Sequence, residues 1–244
     1  QDTTSYGLDL PGGVRLENLL EALARRFKGM AWIRVLYAHP GRIPDALLDL
    51  LAEGDPLCPY LDIPLQHVSK KILKAMGRPS GGEGPEHLLE RIREKVPSIT
   101  LRTTLMVGFP GETDRAFREL LDFVQQASFD RLGVFVFSPE AGTPAARLKN
   151  PVEPHVAEER RSAVLELQES LLEKKNRNLV GKTLPVLIEG PSGETPFLLA
   201  GRTQAMAPEV DGQVLISKGE ARIGEIVKVR IRKAFVHDLV GEIR

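Results

Sequence analysis

In the stretch TLMVGFPGETDRAFRELLDFV, residues 104–124, an apolar run ends in Gly108-Phe109-Pro110-Gly111, then an acidic Glu112-Thr113-Asp114 leads into an amphipathic pattern. Glycines after a strand let the backbone turn tightly and approach a ligand, and the helix start that follows offers unpaired N–H groups. Thr113 is placed to cap that helix, and Glu112 and Asp114 suit its positive end. A plain strand-to-helix turn needs the same residues, so the pattern alone leaves a small-molecule site and a structural turn both open. Polar residues also emerge from three other apolar runs: Gln66-His67 in YLDIPLQHVS, Tyr37 and His39 in YAHP, and Ser138 and Glu140 in FSPEAGTPAA. A lone histidine is more often a satisfied structural residue than a catalyst, and spacing identifies no carboxylate partner for either one. Polar residues at several strand ends point to a shared site more strongly than any single pair does.

The elements that must hold these residues read as alternating strands and helices. Leu16, Leu19, Leu20, Leu23 and Phe27 have the spacing of one helix face, which Gly29 ends. WIRVLY (32–37) is a short β-branched and aromatic strand, and 43–54 a helix with Pro44 near its start and Gly54 past its end. YLDIPL (60–65) is a strand, 69–77 a short helix capped by Ser69, and 85–96 a helix. A strand over 101–109, a helix over 113–127 burying Phe117, Leu120, Leu121 and Val124, and a strand over 132–137 complete the series. Strands and helices alternating at this spacing predict a parallel α/β sheet, whose chemistry collects at the C-terminal strand ends. Residues 153–179 read as one long charged helix with Val164, Leu167 and Leu171 as its buried stripe. Beyond Gly181 the pattern becomes five short β segments in TLPVLIEG, PFLLAGRT, QVLISKG, EIVKVRIRKAF and DLVGEIR, which predicts a small antiparallel barrel of the OB type. The expected organisation is therefore a partial α/β barrel over 1–152, a connecting helix over 153–180 and a β-barrel over 181–244.

Composition narrows the function classes. The chain has 244 residues, 42% of them hydrophobic, enough for one substantial core and a second small one. Lys plus Arg equals Asp plus Glu at 33 each, so no global field draws it to nucleic acid or anionic lipid. Within 181–244 there are nine basic and eight acidic residues, so Lys228, Arg230 and Arg232, alternating with Val229 and Ile231, form a cationic stripe on an otherwise balanced domain. Such a stripe is usually an ordinary solvated face. Apolar runs are too short to span a bilayer, and the expected address is the cytoplasm. Cys58 is the only cysteine, which excludes an internal disulfide framework and any multi-thiolate metal site. It reads as a small buried hydrophobe in the loop before a strand.

Six blocks in order resemble the radical S-adenosylmethionine methylthiotransferases: QDTTSYG (1–7), YLDIPLQH (60–67), KAMGRPS (74–80), MVGFPGET (106–113), FSPEAGTPAA (137–146) and APEVDGQV (207–214). Within that family they are most similar to the RimO-type branch, which modifies an aspartate β-carbon of the twelfth small-subunit ribosomal protein. Gln66-His67, Glu140 and the APEVDG block distinguish the chain from the transfer-RNA branch. The terminal barrel resembles a TRAM domain. The resemblance implies radical chemistry: a reduced [4Fe–4S] cluster cleaves S-adenosylmethionine, the resulting radical abstracts hydrogen from an unactivated C–H bond, and a second cluster supplies sulfur. It implies that Gly108, Phe109, Pro110, Gly111 and Glu112 line the S-adenosylmethionine pocket, with Gln66, His67 and Arg78 as further candidates. It also implies that Glu209, Asp211, Lys228, Arg230 and Arg232 meet the ribosomal-protein partner.

The chain departs from the family pattern at one decisive point. Two clusters need six cysteines, three in Cys-x-x-x-Cys-x-x-Cys, and there is only Cys58. The chain therefore reads as a fragment lacking the amino-terminal domain and the first βα unit, ligating neither cluster and inactive alone, and is expected to be a monomer. Three other readings stay open: a transfer-RNA methylthiotransferase, a non-enzymatic module presenting an RNA-binding barrel, and a cluster-free α/β lyase with His67 or His39 as base.

Overall fold

The computed structural model describes residues 2–30, 32–78, 84–193, 195 and 198–244. Pro79 and Ser80 of the 74–80 block, Pro196 and Phe197 of the second β segment, and Gln1 lie outside the described residues. The chain divides into two compact units, residues 1–168 and 169–244.

The first unit holds a four-stranded parallel sheet in the order β1 (Ile33–Val35), β2 (Leu57–Gln66), β3 (Thr100–Val107) and β4 (Arg131–Val136). Parallel neighbours require crossovers, and the helices supply them: α2 (Asp45–Glu53) between β1 and β2, α3 (Lys70–Ala75) and α4 (Pro85–Lys95) between β2 and β3, and α5 (Asp114–Ala127) between β3 and β4. Helix α1 (Leu16–Phe27) precedes the sheet, and α6 (Pro154–Arg177) follows it. Strand β2 begins earlier than YLDIPL suggests, because Leu57 pairs with Ile33; Cys58 therefore lies inside the strand and not in the loop before it.

Along β3, Leu101, Thr103, Leu105 and Val107 are buried while Arg102, Thr104 and Met106 stay half-exposed. In register, Asp62 neighbours Arg102, Arg102 neighbours Arg131, and Met106 neighbours Phe135. Phe135 is 62% exposed, and Arg102 is paired to Asp62 at 3.3 Å. Parallel sheets are normally apolar on both faces. Here one face carries the charged row Asp62, Arg102 and Arg131, largely buried, beside an exposed Phe135.

On α5 the buried residues are Ala116, Leu120, Phe123, Val124 and Ala127. The stripe is rotated from the expected one, and Phe117 and Leu121 flank it half-buried. On α1 only Leu16 and Leu20 are buried, and Phe27 is exposed. On α6, Val164 and Leu171 are buried as expected while Leu167 is half-buried.

The second unit is a closed barrel in the order β5 (Thr183–Pro191), β6 (Leu199–Arg202), β7 (Val214–Lys218), β9 (Leu239–Ile243) and β8 (Ile226–Ala234), with β8 returning to β5. It is not wholly antiparallel, because β7 and β9 run parallel. Val186, Ile188, Met206, Val214, Ile216, Val229, Ile231 and Leu239 fill it, each aliphatic side chain contributing about 1.5–3 kcal/mol on burial.

Glycine is required where strands pack tightest. A Cβ on Gly201 would run into the Leu187 carbonyl across the β5–β6 pair, and backbone cannot move aside as a flexible side chain can. Gly201→Ala is therefore expected to destabilise the barrel by about 1–3 kcal/mol, measured by urea denaturation followed by circular dichroism; an unchanged midpoint would contradict this packing.

Candidate functional site

The turn after β3 is built from two glycines with different tasks. Gly108 has φ +75°, and a Cβ there would come within 2.6 Å of the Ala157 Cβ on α6. Gly111 has φ +85° with open space around it, and its N–H donates to the Asn150 carbonyl at 2.8 Å. The Glu112 N–H closes the turn onto the Phe109 carbonyl at 2.9 Å. Phe109 is buried with Ile72 and Ala116, edge-on to Phe137 at 5.0 Å between centroids. Thr113 caps α5 by accepting the Ala116 N–H at 3.2 Å. Across Gly108–Glu112, only Gly111 escapes full burial. What this segment leaves accessible is thus Gly111, not the side chains of Phe109, Pro110 or Glu112.

A buried carboxylate holds the turn in place. Glu112 has a fully buried side chain; its Oε2 accepts the Gly108 N–H at 2.5 Å and an Arg160 guanidinium N–H at 3.0 Å. Its Oε1 lies 3.2 Å from Nε2 of His67, which is also fully buried. The His67 Nδ1 accepts the N–H groups of Val68 and Ser69 at 2.9 and 3.0 Å, so Nε2 carries the proton and donates to Glu112. Ser69 starts α3 without a side-chain cap, contrary to the sequence reading; its backbone N–H donates to His67. Arg160 also donates to the Glu112 carbonyl at 3.1 Å and to Asp114 at 2.7 Å, and its guanidinium lies 5.3 Å from the centre of the Phe117 ring.

Sequence reasoning singled out Glu112 and His67 but missed Arg160, 48 residues downstream of Glu112. A signal was available: Ala157, Arg160, Val164 and Gln168 fall at helical spacing, so a cation sits within an otherwise buried stripe. Gln168 is spent in the same way, donating to the Phe129 carbonyl at 3.0 Å.

Gln66 is half-buried with φ +68°, and Tyr37, also left-handed at φ +57°, is 54% exposed. Arg78 donates to the Pro64 carbonyl at 3.2 Å, and with His67 and His39 it lines one cleft. Ser138 and Glu140 are exposed, and the Glu140 carbonyl accepts the Thr143 hydroxyl. Cys58 is fully buried within β2, and among the described residues no three His, Cys, Asp or Glu side chains are grouped to hold a metal. The residues present do not fit an iron–sulfur cluster.

In the barrel unit, Glu209 is exposed at φ +67°. Asp211 instead turns back, with its Oδ2 accepting the Ala207 N–H at 2.8 Å. A depression of about 220 Å³ beside them is lined by Glu189, Arg202 and Asp238 as well. On β8, Lys228 and Arg232 are exposed and Arg230 is half-buried, while Val229 and Ile231 point into the core. Arg232 donates Nε and one terminal N–H to a single Glu242 oxygen at 2.8 and 2.7 Å. The stripe is therefore partly neutralised.

Removing one partner of a buried pair strands the other's charge. Glu112→Ala and Arg160→Ala are each expected to cost about 3–5 kcal/mol, and the double variant less than their sum. Urea denaturation of all three chains measures this; additive costs would mean that the two residues act separately.

Comparison with known proteins agrees with the geometry. The Radical SAM superfamily model matches residues 4–124, and the TRAM domain model matches 180–243. A protein of Geotalea uraniireducens (strain Rf4), named ribosomal protein uS12 methylthiotransferase RimO, is 49% identical over 243 residues, covering 100% of this chain and 54% of its own length. Proteins of the same name from Geobacter sulfurreducens and Anaeromyxobacter sp. (strain Fw109-5) are 48% and 46% identical, with 54% and 52% of their own lengths covered. The chain spans about half the length of these relatives. No helix among the described residues is long and apolar enough to cross a membrane. An open parallel sheet matched by the Radical SAM model, a closed five-stranded barrel matched by the TRAM model, and identity near one-half from end to end make this chain a homologue of the RimO-type radical S-adenosylmethionine methylthiotransferases.

Proposed function

We propose that this chain is the part of a ribosomal-protein methylthiotransferase that shapes one wall of the S-adenosylmethionine pocket and carries the domain that recruits the substrate. The intact enzyme would transfer a methylthio group to the β-carbon of an aspartate in the small-subunit protein uS12. The observation that carries this reading is the glycine turn at the C-terminal edge of a parallel sheet, clamped from beneath by Glu112. In parallel α/β folds ligands bind at that edge, and a turn held rigid before binding costs little to order. Gly111, the half-buried residue of Gly108–Glu112, is where this segment would meet the cofactor.

The residues of this chain do positioning work only. His67 and Arg160 set the Glu112 carboxylate, the carboxylate sets the Gly108 N–H, and the turn follows. Cluster chemistry requires thiolates that one buried cysteine cannot supply. The amino and carboxylate groups of S-adenosylmethionine, which would chelate a cluster iron, therefore lack their anchor here. Binding of S-adenosylmethionine to the 244-residue chain is expected at about millimolar Kd or weaker, roughly −4 kcal/mol. Calorimetry that returned micromolar affinity would mean that the cofactor site lies elsewhere.

For recruitment, the balanced charge of the barrel argues against tracking a phosphate backbone. Glu209 projects from its loop, and a basic ribosomal protein is the partner that such a carboxylate suits. Because Asp211 is tied into its own loop, Glu209→Lys is the cleaner probe. It is expected to weaken binding of isolated uS12 to the chain several-fold, more than Lys228→Glu with Arg230→Glu does. If only the second variant loses binding, and transfer RNA competes in a steeply salt-dependent way, the transfer-RNA reading replaces this one.

A further inference from the structure

Two loops of the barrel unit carry large apolar side chains in the open. Val210, between β6 and β7, is 58% exposed, and Phe235, between β8 and β9, is 57% exposed. Single apolar residues on a surface are ordinary. These two differ in how firmly their loops are held. The turn from β8 to β9 closes with the Phe235 N–H donating to the Asp238 carbonyl at 2.8 Å. Beneath it, the buried Asn176 near the end of α6 donates from Nδ2 to the Phe235 and Val236 carbonyls at 3.2 and 2.8 Å. The loop from β6 to β7 is braced by Asp211, whose carboxylate accepts the Ala207 N–H at 2.8 Å.

The loops are also stitched to each other. Asp238 accepts the Gln213 N–H at 2.8 Å, and the Leu239 N–H donates to the Gln213 carbonyl at 2.9 Å. A Cβ on Gly212 would run into the His237 carbonyl, so the two backbones approach as closely as glycine allows. Together they form one braced ledge at an end of the barrel. Charge is segregated on it: residues 207–213 and 235–238 contain Glu209, Asp211 and Asp238 but no Lys or Arg, within a domain that is otherwise balanced. Glu169 adds a carboxylate 3.9 Å from the His237 ring.

We propose that this ledge is the docking surface for the basic protein that the barrel recruits, with Phe235 and Val210 entering an apolar recess of the partner while the surrounding carboxylates meet its cations. The inference rests on the recruitment reading above, but it moves the main source of affinity from Glu209 to Phe235 and Val210. Carboxylates on an exposed rim steer encounter and fix orientation, whereas an aromatic anchor desolvated at the centre supplies most of the binding energy. Loops already fixed in place lose little further backbone freedom on binding, so burial of their side chains goes into affinity. The same acidic rim sets the class of partner. RNA would bring phosphates against it, and a second copy of the chain docked symmetrically would bring an identical rim.

Binding of isolated uS12 to the 244-residue chain, measured by calorimetry at low and at raised salt, tests the surface. Phe235→Ser is expected to weaken binding about tenfold or more at both salt levels. Val210→Ser is expected to weaken it several-fold, and the effect of Glu209→Lys to fade as salt screens it. Ile223→Ser removes an aliphatic side chain that is 69% exposed outside both loops, and is expected to leave affinity unchanged. Urea denaturation checks that each variant keeps its fold; should Phe235→Ser not, Val210→Ser carries the test. Affinity that survives both Phe235→Ser and Val210→Ser overturns the ledge and leaves the recruitment reading standing, and an equal loss in Ile223→Ser overturns its location. No binding of uS12 by the unaltered chain overturns the recruitment reading and the ledge with it. Self-association that Phe235→Ser abolishes, or transfer RNA competing for the surface, overturns the assigned partner.

Discussion

The buried carboxylate of Glu112 is the constraint on which the candidate site depends. Burying such a charge is costly unless each oxygen is satisfied. Here one oxygen receives an imidazole N–H, and the other a peptide N–H and a guanidinium. The donors come from the end of β2, the end of β3 and α6, so meeting the electrostatic demand of one side chain ties three separate segments together. Gly108 can join this arrangement because it lacks the Cβ that would strike Ala157. The turn is thus shaped from inside the protein, leaving the backbone near Gly111 to face outward.

This has a bearing on what histidine and glutamate mean in such a place. A His and a Glu at adjacent strand ends invite a reading as base and acid. Geometry assigns them otherwise, since both ring nitrogens of His67 are engaged and neither side chain reaches solvent. A lyase using His67 as base would need an accessible ring nitrogen, and both of its nitrogens are engaged inside the protein.

Much of the architecture was legible in the sequence because burial imposes a period. The alternation in Val229, Arg230, Ile231 and Arg232 appears unchanged in β8, and the glycine-to-Thr113 transition falls where α5 starts. The failures share a cause: they involve partners distant in the chain. The start of β2 depends on pairing with Ile33, and Arg160 reads as an ordinary helix-surface cation until the stripe around it is seen to be buried. The parallel β7–β9 contact left no local trace, because strand direction is set by topology and not by composition. The family resemblance rested on short blocks at strand ends. It therefore named Gly108–Glu112 and passed over the arginine that holds the turn.

That parallel contact has a consequence for how the second unit forms. Parallel strands cannot be joined by a hairpin, so β9 reaches β7 only after the chain has passed through β8. Every other pairing in the barrel can form before residue 239 exists; the seam between β7 and β8 cannot. Until residues 239–243 are in place, both of these strands present unpaired edges, the condition under which β-structure associates wrongly. Strand β9 works as a keystone: a chain ending before Leu239 is an open sheet.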